Sequence, residues 1–257
     1  MLAARFLAPL AFVIAAALPH VASAQSSLGF QDASLTVTYA KGETTTRKQV
    51  DAALDVAITG YHGLQLDIGA ADYPDRYWGR LGAHLYIDPG HGAKYGLFAN
   101  VADANNLARW DATLGAEGIW VLGETVTLAA RAGLGLSEPG NYDYIFAEVR
   151  GTHRLSKTLD VYAGYARTDI DEAGLDFTSG LLEAGVTHHL PGSAAALSLG
   201  LERSIVSGNS GAVGDTRLVA GLTVQIGTPR GAKPTTTATL FAPVRPLDEA
   251  LLRQLLK

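Results

Sequence analysis

The sequence predicts an all-β protein: a transmembrane up-and-down antiparallel β-barrel of about twelve strands, with a short C-terminal helical tail. Three observations carry that expectation. A period-two alternation recurs about a dozen times, with one face of each segment almost purely apolar and the other carrying Asp, Glu, Arg, Gln, Thr and Gly. Each segment is about 10 residues long, the length a tilted strand needs to cross a bilayer. An export signal precedes them all.

That signal occupies residues 1–24. Arg5 supplies a positive n-region, Phe6 to Leu18 an apolar run, and Ala22-Ser23-Ala24 a small-residue cleavage site. The run is too short to span about 30 Å of hydrocarbon comfortably, and Pro19 follows it. No later stretch approaches about 18 consecutive apolar residues, which excludes helical spans. The chain has no cysteine, so it has neither disulfides nor thiolate metal sites. Loss of Arg5 removes one of 20 basic residues against 25 acidic ones. With no basic run, nucleic acid is not an expected partner.

The first strand is read near Ala33–Ala40. The second, Gln49–Thr59, sets Val50, Ala52, Leu54, Val56 and Ile58 against Asp51, Ala53, Asp55 and Ala57. The third, Gly63–Ala70, turns Gln65 and Asp67 inward. The fourth, Tyr77–Ile87, turns Arg80, His84 and Tyr86 inward and Leu81, Ala83 and Leu85 outward. Ala93–Val101 and Ala108–Val121 follow, the latter with Asp111, Thr113 and Glu117 inward. The seventh, Glu124–Leu136, turns Arg131 inward, and the eighth, Tyr142–Leu155, Glu148, Arg150 and Thr152. Leu159–Thr168 and Leu175–His189 carry Asp160 and Glu183, and Ala195–Ile205 carries Glu202. The twelfth, Thr216–Gly227, sets Leu218, Ala220, Leu222, Val224 and Ile226 against Arg217, Val219, Gly221, Thr223 and Gln225. An apolar outside and a polar inside suit a barrel whose outer solvent is lipid and whose lumen holds water.

Short turns follow the even strands, as at Leu122-Gly123 and Pro191-Gly192. Longer polar loops are expected after the odd ones: Lys41–Arg47, Ala71–Arg76, Ala102–Leu107, Ser137–Asn141, Asp169–Gly174 and Val206–Asp215. Short periplasmic turns and longer outer loops put both termini in the periplasm. Tyr39, Tyr61, Tyr73, Tyr77, Trp78, Trp110, Trp120 and Tyr142 fall near strand ends, where interfacial girdles or ordinary packing would hold them. A soluble β-sandwich is the alternative fold; strand count, strand length and loop asymmetry together favour the barrel.

The last strand resembles the assembly signal of Gram-negative outer-membrane β-barrels. Gly221, Val224 and Ile226 fit its Gly-x-x-hydrophobic-x-hydrophobic part, while Val219 stands at the polar position. The pattern from Ala33 to Gly227 is similar to that of small twelve-stranded porins, among them channels for acidic sugars. The resemblance implies a cell outer-membrane location, contact with outer-membrane lipid, and insertion by the barrel assembly machinery. It implies no cofactor.

The chain thus divides into a signal peptide (1–24), a barrel (25–227) and a tail (228–257). Thr228–Pro246 reads as an extended linker, and Pro246-Leu247-Asp248 opens a short helix, Asp248–Leu256. Leu247, Leu251, Leu252, Leu255 and Leu256 form a stripe that could dock a periplasmic partner, plug the barrel mouth, or merely touch the membrane edge.

Pore-lining candidates are Arg80, His84, Asp111, Glu117, Arg131, Glu148, Arg150, Asp160, Glu183, Glu202 and Arg217. They either form an internal ion-pair network that stiffens the barrel or a constriction whose transverse field selects polar solutes. Frequent inward Gly and Ala argue for open lumen or for relief of crowding. No metal site is expected. His188 and His189 point to opposite faces, and Asp169-Ile170-Asp171-Glu172 reads as a solvated acidic loop. No catalytic residue is identified, and an outer-membrane lipid hydrolase is a distant alternative to a channel or a non-conducting interaction barrel. Mass spectrometry of the membrane-extracted protein should find Gln25 at its N-terminus; a chain that retains Met1–Ala24 would refute the signal assignment.

Overall fold

In the computed structural model, the described residues are 29–73, 76–104, 109–172, 175–208, 211–227, 235–236 and 239–249. Twelve strands form: β1 (Gly29–Gly42), β2 (Thr46–Ala57), β3 (His62–Tyr73), β4 (Arg76–Ile87), β5 (Ala93–Ala104), β6 (Arg109–Leu122), β7 (Val126–Glu138), β8 (Tyr142–Arg154), β9 (Leu159–Glu172), β10 (Leu175–His189), β11 (Ala195–Gly208) and β12 (Gly211–Ile226). Each pairs with its neighbours in sequence, and β1 pairs with β12, so the sheet closes into a barrel. The seam runs antiparallel from Ala33 opposite Ile226 to Gly42 opposite Arg217. Closure leaves no unpaired edge, which hydrocarbon would not tolerate. Among the described residues no helix is long and apolar enough to cross a membrane, which says nothing of crossing by strands.

Alternation sorts the side chains as expected. Leu97 is 65% exposed while its neighbour Phe98 is 3% exposed; Ile145 is 64% exposed and Phe146 is 7%. The outward band is built by residues such as Leu81, Leu85, Leu114, Leu134, Leu182, Leu199, Leu201 and Leu218. In water such a surface would be an aggregation liability; against acyl chains it is the matched solvent.

Two expectations need correction. The polar stretches after the odd strands are not long loops. Thr46 and Arg47 belong to β2, Asp169–Glu172 to β9, Val206–Gly208 to β11 and Gly211–Asp215 to β12. Connections after odd strands run through 43–45, 74–75, 105–108, 139–141, 173–174 and 209–210; those after even strands, through 58–61, 88–92, 123–125, 155–158 and 190–194, are no shorter. The ladder therefore continues where the apolar outer face has already stopped, and loop length does not orient the barrel. An even strand number still puts both ends of the sheet at one mouth, here called the proximal mouth; the other is distal.

The second correction concerns the aromatic residues, for which the sequence leaves an interfacial girdle and ordinary packing both open: Trp78 takes the packing alternative. It points into the lumen and is buried with Phe98, Tyr144, Phe146, Ile170, Phe177 and Val206, and Tyr142 packs against the same cluster. Tyr39, Tyr61, Tyr77 and Trp110 do face outward. Two inward glycines make room for rings and not for open lumen. Gly63 lies opposite Tyr86 and Gly135 opposite Tyr144, and a Cβ at either position would overlap the tyrosine ring. Their missing side chains make room for aromatic rings to lie across the sheet.

Replacing outward Leu134 by Arg should lower unfolding free energy by about 2–4 kcal/mol, measured by urea titration in lipid bilayers, because the charge would sit in hydrocarbon. No loss would place Leu134 outside the lipid band.

Candidate functional site

The lumen is a stack of charged layers with a peptide threaded through it. Near the proximal mouth, the Tyr86 hydroxyl donates to Asp55 at 2.6 Å, and Lys94 Nζ lies 3.7 Å from Asp55 and 3.9 Å above the Tyr86 ring. One layer further in, His84 sits between two carboxylates: Nε2 is 2.9 Å from Asp67 and Nδ1 is 2.5 Å from Glu117. An imidazole donates to both only when both ring nitrogens carry hydrogen. On the far wall Arg131 meets Glu148 at 3.4 Å and Arg150 meets Glu183 at 2.5 Å, with the Arg150 guanidinium 4.0 Å over the Tyr162 ring. Asp160, toward the proximal end of β9, takes Arg154 at 3.2 Å and His189 at 2.7 Å.

The distal layers are richer in arginine. Arg80 donates to Asp51 at 2.8 Å; Arg47 donates to Glu202 at 2.8 Å; Arg217 reaches Glu202 at 3.1 Å. Asp111 accepts the Tyr144 hydroxyl at 2.6 Å, and Arg109 donates to Ser137 at 3.0 Å.

Thr239–Glu249 lies inside this stack. Phe241 stacks on His84, ring centroids 5.4 Å apart and planes 2° from parallel, close to Tyr86. Val244 and Leu247 enter the apolar cluster around Trp78 and Tyr144. Arg245 donates to Gln49 at 2.8 Å. Asp248 lies 3.7 Å from Arg80, and Glu249 accepts from Arg217 at 2.9 Å with Arg47 at 3.9 Å. Lys94, near the proximal start of β5, contacts Thr239, whereas Arg47 and Arg217 lie toward the distal end. The segment thus runs from the proximal mouth toward the distal one. For this stretch a periplasmic linker gives way to a lumenal position, because it carries apolar groups and carboxylates that complement the wall. Leu247 is buried in the lumen; Leu251, Leu252 and Leu255, with most of the expected helix, lie outside the described residues, as does the signal peptide.

Of the residues singled out by alternation, Arg80, His84, Asp111, Glu117, Arg131, Asp160, Glu202 and Arg217 are buried on the inner face, and Glu148, Arg150 and Glu183 are half-buried there. The structure brings them together as pairs rather than one ring. Gly221 faces inward against Ser198, while Val224 and Ile226 face outward beside the seam. Asp169 pairs with Arg167 at 2.8 Å and Ile170 is buried, so the supposed acidic loop is part of β9. Sequence reasoning missed Arg47, hidden in a presumed loop, and Lys94, whose strand lacked an assigned face. It also read Arg245, Asp248 and Glu249 as linker and helix-capping charges.

No family model matches the chain, and no curated protein matches it. Solved structures do. A KdgM porin in complex with disordered oligogalacturonate is 9% identical, covering 74% of this chain and 98% of that one at a TM-score of 0.52. The NanC porin is 6% identical over 74% of this chain and 98% of its own, TM-score 0.56. A COG4313 outer membrane channel from Pseudomonas putida F1 is 13% identical, with 81% and 99% covered and a TM-score of 0.56. The chain has the fold of twelve-stranded outer-membrane β-barrels.

Arg217→Met should destabilise the barrel by about 3–5 kcal/mol, read from its urea midpoint, because Glu202 and Glu249 would keep buried charge with a partner removed. An unchanged midpoint would mean that water reaches both carboxylates.

Proposed function

We propose that this chain is a porin-like channel of the cell outer membrane that passes small hydrophilic solutes through a charged lumen, with the proximal mouth in the periplasm. The observation that carries this reading is a polar gap between the threaded tail and the β7–β10 wall. Two neighbouring cavities, of about 80 Å³ and about 30 Å³, share Glu148, Arg150 and Ala242 as lining and lie along one side of the tail. Arg47, Arg150, Arg167 and Arg245 share the larger cavity with Glu148, Glu183, Glu202, Asp248 and Glu249. Opposed charges across a narrow passage orient and select polar solutes, and the carboxylate excess favours cations. At the smaller cavity Glu117 Oε2 and Arg131 Nη1 are buried with no partner among the described residues, groups that a passing water or solute would satisfy. The likeness to the KdgM and NanC porins and the COG4313 channel supports the reading.

Outer-membrane lipid and the barrel assembly machinery are the partners this reading requires; no cofactor enters it. The second reading is a non-conducting barrel that engages a periplasmic partner through its tail; the apolar cluster into which Val244 and Leu247 insert favours its non-conducting part, and leaves only the residues beyond Glu249 or before Thr239 for a partner. Catalysis has less support. His84 faces two carboxylates and His189 pairs with Asp160, which is not the serine–histidine contact of a hydrolase.

In a planar bilayer the folded full chain should give small ohmic steps that prefer cations. Joint Glu148→Gln and Glu183→Gln substitution should move the reversal potential in a salt gradient toward anions. Silence from the folded full chain, and from a Phe241→Ala chain whose tail is loosened, would sink the channel reading in favour of the non-conducting one.

A further inference from the structure

The tail has a repeat of its own. Phe241, Val244 and Leu247 are 4%, 3% and 2% exposed, and every residue between them is partly exposed. Pro243 and Pro246 keep the same three-residue spacing. From Phe241 to Val244, in a stretch without regular secondary structure, burial follows the three-residue spacing of a polyproline-II helix; a turn in which the Asp248 N–H donates to the Arg245 carbonyl then carries Leu247, Asp248 and Glu249, all buried. Such a helix has no internal backbone hydrogen bonds, so its peptide groups need outside partners when buried.

The barrel wall supplies them with side chains. The Gln65 amide grips one residue twice: Nε2 donates to the Phe241 carbonyl at 2.9 Å, and Oε1 accepts from the Phe241 N–H at 2.9 Å. Lys94 Nζ donates to the Thr239 carbonyl at 3.2 Å, and Thr168 Oγ1 to the Pro246 carbonyl at 2.8 Å. The stripe is read by the His84 ring and the apolar cluster, and the two carboxylates after it by Arg80, Arg47 and Arg217. Backbone grip, side-chain pockets and an adjacent pair of carboxylates held by arginines together are the anatomy of a peptide-recognition groove, here wrapped into a lumen.

We propose that the lumen is a binding site for an extended, proline-spaced peptide that ends in a turn, with the chain's own tail as its tethered ligand. The peptide it takes has an aromatic residue, two aliphatic residues at three-residue steps with prolines between, and then two adjacent carboxylates. A free peptide of that chemistry exchanges with the tail from the proximal mouth. The proposal rests on the tail's contacts and is independent of conduction.

The test uses the full chain carrying Phe241→Ala, Asp248→Asn and Glu249→Gln, which weakens the tail and leaves the wall intact; heat-modifiable migration reports folding. A fluorescent synthetic peptide spanning residues 235–249 is titrated in detergent and followed by anisotropy. Saturable binding is expected, about tenfold tighter than to the unaltered chain, where the tethered tail competes. The same peptide with Pro243→Gly and Pro246→Gly, and one of reversed sequence, should each bind about tenfold more weakly. Absence of saturable binding, or equal binding of all three peptides, overturns the proposal. Should the triple variant not fold, Glu249→Gln alone is compared with the unaltered chain by the same criteria. Peptide binding to an electrically silent barrel would leave this proposal standing and remove the channel reading; a conducting barrel that ignores the peptide would do the reverse.

Discussion

Closure of the β1–β12 seam is the constraint on which everything else depends. Once every strand is paired on both sides, each backbone donor and acceptor has a partner and the chain is admissible in hydrocarbon. Closure also converts the alternation of a strand into a choice between two solvents. Leu114 and Leu134, opposite each other on β6 and β7, have only the outside available; Glu117 and Arg131, three residues away on each strand, have only the inside. The charged lumen follows from that geometry before any function is invoked.

A twelve-stranded lumen lies between barrels that side chains just fill and those that hold wide water columns. This one is filled from two sources. Aromatic rings lie across inward glycines, as Tyr86 does over Gly63, and the tail occupies the axis. The wall arginines therefore face carboxylates from other strands and from the tail: Arg217 holds Glu202 and Glu249, and Arg80 holds Asp51 and Asp248. Removing charge from water is costly unless it is paired and hydrogen-bonded, so tail and wall each complete the other.

Ordering an extended segment costs about 1–2 kcal/mol per residue. Pro243 and Pro246 narrow the free segment's conformations beforehand, and attachment to β12 removes the cost of bringing two molecules together. Arg47, Glu202 and Glu249 line the larger cavity, and Arg47 also pairs with both carboxylates across the tail–wall contact.

The sequence by itself determined the strand count, most proximal strand ends and the face of nearly every inward charge. It could do so because a two-residue period encodes a face directly, and lipid enforces the code without exception across its thickness. It failed at the distal ends, where β9, β11 and β12 run on past the apolar band and their alternation no longer separates oil from water. It failed also on partners. Parity says that Arg217 points inward but not that Glu202 and Glu249 meet it, since those distances depend on strand stagger and on a segment 32 residues away in the chain. Only the tertiary structure placed the tail in the lumen. Its apolar spacing and its adjacent carboxylates have no meaning until a wall with Gln65, His84 and three arginines stands around them, because an extended segment with few backbone hydrogen bonds of its own takes its position from what surrounds it.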